Sequence, residues 1–137
     1  MEALTQLRLR TEFSFREAFG RPVAIAQRLK DMGCPAAGIV DGGTWGHVPW
    51  SKALKAQGVK PLFGCERSLL MDADDRRPKF WLLAENLSDF YAATTMLHKA
   101  DLTPKEQIEV LRDAPGIIRF AGAALTDPGT FDFIDVT

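Results

Sequence analysis

The stretch from Gly38 to Glu66, GIVDGGTWGHVPWSKALKAQGVKPLFGCE, constrains this chain more than any other part. It opens on an apolar run that ends in an acid, Asp41. A glycine-rich turn follows, then an amphipathic segment, then a second apolar run that ends in Glu66. Strand, turn, helix and strand in that order make a crossover unit, and such a crossover sets its two strands parallel. Asp41 and Glu66 are therefore expected at the C-terminal ends of neighbouring parallel strands. In α/β folds that rim is where ligands and catalytic groups gather.

The same alternation extends in both directions. Leu7 to Arg10 alternates apolar and basic residues, as a short strand does, with Arg8 and Arg10 on one face and Leu7 and Leu9 on the other. Phe13 to Gly20 is irregular. Arg21 to Met32 has helical periodicity, with Pro22 in its first turn and Gly33 just past its end. Strands are expected at Ala36 to Val40, Lys60 to Cys65, Lys79 to Ala84, Gly116 to Ala121 and Phe131 to Val136. Helices are expected at Val48 to Gln57, capped by Gly58, at Asp89 to Lys99, capped by Ser88, and from Thr103, where Glu106 completes a capping box. Leu69 to Pro78 is polar and turn-rich, and Asp127-Pro128-Gly129 is a turn. The fold class is α/β with a largely parallel sheet of about five to six strands.

At 137 residues the chain is long enough for one domain with a core, expected to span residues 1–137. A formal net charge of −1 provides no global attraction for nucleic acid, so any such contact needs a local basic patch. No apolar run approaches a membrane span, and the N-terminus lacks the apolar core of a signal peptide, so the expected address is cytoplasmic. Cys34 and Cys65 are too far apart for a CxxC motif and are expected to be buried thiols.

Several segments, taken in order, resemble a known family. Arg8-Leu9-Arg10-Thr11-Glu12-Phe13-Ser14 is similar to the opening motif HxHSEYS of the PHP (polymerase and histidinol phosphatase) domain, as found at the N-terminus of the bacterial replicative DNA polymerase III alpha subunit. Val40-Asp41-Gly42-Gly43-Thr44 resembles its TDHGN motif. Lys60 to Glu66, KPLFGCE, resembles KPIIGCE, Lys79 to Asn86 resembles HLVLLAKN, and Pro115 to Gly122 sits where the family has EGLIVLSG. The resemblance implies a partial or open PHP-type (β/α) barrel, because the family's later segments have no counterpart here.

The resemblance also implies what has changed. Family members hold Zn, Mn or Fe through imidazoles and carboxylates and use the ions to activate water against a phosphoester. The positions of its first two histidines fall on Arg8 and Arg10, the histidine after the motif aspartate on Gly42, and the histidine opening the next strand on Lys79. Glu66 and Asp41 are kept; Glu17 is a further acid near a family ligand position. Arginine offers no lone pair to a cation and stays charged. No metal or other cofactor and no catalytic residue is therefore expected. The degenerate-site cleft comprises Arg8, Arg10, Asp41, Gly42, Glu66 and Lys79, with the three cations replacing the metal charge beside the two acids.

This gives an inactive PHP-like domain with a structural or protein-interaction role linked to DNA replication. Its expected partner is a polymerase subunit or another replication protein, with a homodimer as a further expectation. Two alternatives remain. One is a metal-dependent phosphoesterase using Glu66, Asp41, Glu17 and His47. The other is a phosphate or nucleotide binder using Arg8, Arg10, Gly43, Thr44 and Lys79. His47 and His98 fall on no family ligand position and are expected to be structural or surface residues. Trp45, Trp50 and Trp81 with Phe80 are a base-stacking platform or, more simply, core.

Overall fold

The computed structural model describes residues 4–14, 18–69, 79–98, 102–122 and 130–134. The chain divides into two compact units, Met1–Cys65 and Glu66–Thr137. Expectations for Glu17, for the loop beyond Leu69 and for the Asp127-Pro128-Gly129 turn lie outside the described residues.

The first unit contains β1 (Gln6–Leu9), α1 (Pro22–Asp31), β2 (Ala36–Ile39), α2 (His47–Ala56) and the start of β3 (Lys60–Ser68). β1 pairs parallel with β2 and β2 parallel with β3, in register from Ala36 opposite Lys60 to Ile39 opposite Phe63. Pro22 starts α1, where its missing N–H costs nothing. Gly33 and Gly58 follow the two helices with φ of 73° and 72°, the left-handed conformation that ends a helix. Each helix turns an apolar face onto the strands. Ala26 and Leu29 from α1 meet Ala37 and Ile39 from β2 and Trp50, Ala53 and Leu54 from α2 in one core. Trp50 is fully buried, and its indole N–H donates to the Leu62 carbonyl at 3.2 Å.

Two strands, β1 and β3, differ from expectation. β1 ends at Leu9, so Arg10 lies past the strand. Its pairing also slips: Gln6 faces Ala37 and Leu9 faces Ile39, so three residue steps on β1 match two on β2. Such a bulge breaks the two-residue repeat. The alternation that set Arg8 and Arg10 against Leu7 and Leu9 is not kept, and Leu7 and Arg8 are both exposed. β3, for its part, runs on to Ser68, so Glu66 stands within the strand and not at its end.

The second unit contains the end of β3, then β4 (Lys79–Ala84), α3 (Leu87–Leu97), α4 (Pro104–Asp113), β5 (Ile117–Ala121) and β6 (Phe133–Ile134). β4 is buried from Phe80 to Leu83, as its unbroken apolar run requires. β4 and β5 pair antiparallel, and β5 and β6 pair parallel. Two helices in succession between β4 and β5 explain the reversal: one helix carries the chain back along the strands, and the second returns it to the end where β4 finished. Three of the four described pairings are nonetheless parallel. Thr103 caps α4 as expected, accepting from the Glu106 N–H at 3.2 Å. α3 is capped by Asn86 and not Ser88. Asn86 has extended backbone, and its side chain accepts from the Asp89 N–H at 3.0 Å.

Candidate functional site

The first unit builds its polar centre on Asp41, two residues beyond Ile39 at the end of β2. The side chain is fully buried. Oδ1 accepts from the Thr11 N–H at 2.7 Å and from the Ser14 hydroxyl at 2.5 Å, and Oδ2 accepts from the Thr11 hydroxyl at 2.5 Å. The Thr11–Ser14 turn folds around this carboxylate: Ser14 N–H donates to the Thr11 carbonyl at 2.9 Å, and Phe13 N–H to the Thr11 hydroxyl at 3.2 Å. A buried carboxylate needs such donors, because burial without them is costly. Gly46 makes room for the arrangement. A Cβ there would lie 3.0 Å from both Asp41 Oδ2 and the Phe13 ring.

His47, the first residue of α2, is the second buried polar group. Its Nε2 lies 2.9 Å from the Gly64 carbonyl. A carbonyl oxygen only accepts, so the proton sits on Nε2. The ring also packs against Phe63 at 5.3 Å. Burial pushes the His47 pKa below 6.5, against the opposing pull of the Gly64 bond and of the Asp41 charge. The ring is therefore neutral at pH 7.

Around the turn, Gly42 and Thr44 are exposed and Gly43 is half-buried. Trp45 is 65 % exposed and folds its indole over Gly43, where a Cβ would meet the ring at 2.2 Å. Of the aromatic residues weighed for stacking, Trp50, Trp81 and Phe80 are core, while Trp45 is at the surface.

The second unit has its own charged centre at Glu66, which is 8 % exposed. Oε2 accepts the Trp81 indole N–H at 2.8 Å, and Oε1 pairs with the Lys79 ammonium at 3.2 Å. β4 delivers both partners, Lys79 from its first residue and Trp81 from its third. Alternation places them on the same side of the strand. His98 caps α3 at the surface, and the charge of Arg67 pushes its pKa below 6.5.

The model of the PHP domain family matches residues 6–131. The chain belongs to the PHP domain family. DNA polymerase III alpha subunits share sequence with this PHP domain. That of Helicobacter pylori strain J99 is 30% identical over 66 residues, 47% of this chain and 6% of its own length. That of Campylobacter jejuni is 33% identical over 70 residues, 50% of this chain and 6% of its own. That of Aquifex aeolicus is 32% identical over 87 residues, 62% of this chain and 7% of its own. The matches thus span a small part of these relatives. A Bifidobacterium adolescentis protein assigned as a metal-dependent phosphoesterase shares the fold, with a TM-score of 0.60 at 11% identity, over 96% of this chain and 76% of that one.

A PHP metal centre does not fit these residues. Among the described residues no three His, Cys, Asp or Glu side chains group as a cation site. Arg8, Arg10, Gly42 and Lys79 have no lone pair to offer where the family resemblance implies imidazoles. Both Glu66 oxygens and both Asp41 oxygens already accept hydrogen bonds or an ion pair. Thr11 and Ser14 are the site residues that sequence reasoning missed. The signal is present, since both lie in the opening motif beside Arg8 and Arg10. Among the described residues no helix is long and apolar enough to cross a membrane.

Proposed function

We propose that this PHP domain is catalytically inactive and serves a structural or protein-interaction role in DNA replication, in the cytoplasm and beside a polymerase subunit. The observation that carries the reading is the Glu66 carboxylate. It is the acid most clearly retained from the family motif, and the Lys79 ammonium on Oε1 and the Trp81 indole N–H on Oε2 each occupy an acceptor position of the carboxylate that a metal ion would have to share. A lysine beside a ligand carboxylate also repels an incoming cation. The polymerase setting rests on the sequence shared with DNA polymerase III alpha subunits.

Metal content tests this directly. Protein purified without chelator or histidine tag is expected to hold less than about 0.1 metal per chain, well below the paired occupancy that two-metal hydrolysis uses. It is also expected to leave phosphoester substrates intact with added Mn²⁺. Near-stoichiometric zinc, manganese or iron, with hydrolysis lost on chelation, would establish the phosphoesterase reading instead.

A further inference from the structure

The cleft between α3 and α4 belongs to neither polar centre. It encloses about 470 Å³, with Ala93, Met96 and Val110 among its lining residues. Four acids, Asp89, Glu106, Glu109 and Asp113, line it as well, and among the described residues no Lys or Arg lines it. Glu106, Glu109 and Asp113 are spaced to share one face of α4. An apolar floor with a one-sided acidic rim fits a helix that presents an apolar residue followed by cations.

The chain itself carries such a helix. α2, HVPWSKALKA, has no acid. Its outer face presents Val48, which is 64 % exposed, and the exposed Lys52 and Lys55 at four and seven residues further on. The two halves of the sequence also differ in sign. Residues 1–65 hold nine Lys and Arg against five Asp and Glu, and residues 66–137 hold eight against thirteen. We propose that the α3–α4 cleft docks the Val48-Lys52-Lys55 face of α2 from a second copy of this chain. Val48 would meet the apolar floor and the two lysines the Glu106 and Glu109 carboxylates. This inference does not depend on whether the domain is catalytically inactive.

Charge reversal in trans tests it. Sedimentation equilibrium is run on the wild type, on Glu106→Lys/Glu109→Lys, on Lys52→Glu/Lys55→Glu, and on an equimolar mixture of the two variants. Circular dichroism checks that each variant is folded. The wild type is expected to exceed the 15.2 kDa of one chain and to dissociate at least tenfold more readily as salt rises from about 0.05 to about 0.5 M. Each variant alone is expected to be monomeric, and the mixture to associate again, because each acidic face then meets a basic one. A monomeric wild type at low salt would overturn the proposal. So would folded variants that self-associate as the wild type does, or a mixture that stays monomeric.

Discussion

At the scale of single residues, the two carboxylates of the family motif have different supports, and their replacement should cost different amounts. Asp41 is fully buried beneath three donors of one turn. Asp41→Ala would leave a backbone N–H and two hydroxyls without their acceptor, at about 1–3 kcal/mol for each group that finds no other. A loss of at least about 3 kcal/mol in urea unfolding is expected. Glu66 is held by a lysine that is 46% exposed, where water screens the pair. Lys79→Met should therefore cost no more than about 1 kcal/mol. Trp81→Phe should cost more than Lys79→Met, because it leaves a buried carboxylate oxygen without its indole donor. If Lys79→Met proved the most costly of the three, the ion pair and not the hydrogen bonds would hold the centre. The motif acids were legible in the sequence because each closes an apolar run. Their donors were less so: Thr11 lies 30 positions from Asp41, and only the fold brings them together.

At the scale of elements, sequence signals worked where the cause is local. Gly33, Gly58 and the Thr103–Glu106 cap act within a few residues of the helix ends they mark. They failed where a distant strand decides. The β1 bulge depends on how β1 meets β2, and no property of QLRL specifies it. Arg119 is a second case. A lone arginine in the apolar run IIRFA marks a special contact, but not which one. Its guanidinium reaches the end of α4, donating to the Leu111 carbonyl at 2.5 Å and to the Ala114 carbonyl, and it pairs with Asp132 at 3.5 Å. The last carbonyls of a helix have no partners within it, so Arg119 closes α4 and ties it to β5. Arg119→Met keeps the aliphatic stem and removes those bonds. It is expected to destabilise the protein by about 2–3 kcal/mol and to raise hydrogen exchange most in the last turn of α4. Uniformly faster exchange across β4 and β5 would assign Arg119 to the strands instead.

At the scale of the whole molecule, buried polar groups set how stability responds to acid. His47 has its pKa pushed below 6.5 by burial, and His98, under the charge of Arg67, shifts in the same direction. An imidazole depressed in this way binds fewer protons folded than unfolded over the interval between the two pKa values. Its stabilisation is complete above pH 6.5 and is lost as pH falls from 6.5 through the folded pKa. The melting temperature should therefore fall between about pH 7.5 and about pH 5.5, before most carboxylates titrate. The dominant contribution should be His47, because it is 4% exposed while His98 is at the surface. His47→Gln places an amide N–H where Nε2 donates to Gly64 and removes the titration. This variant should lose most of the acid slope while keeping most of the stability at neutral pH. An unchanged slope would mean that other groups carry the acid response and that the neutral, Nε2-protonated ring is the wrong description of the residue at the head of α2.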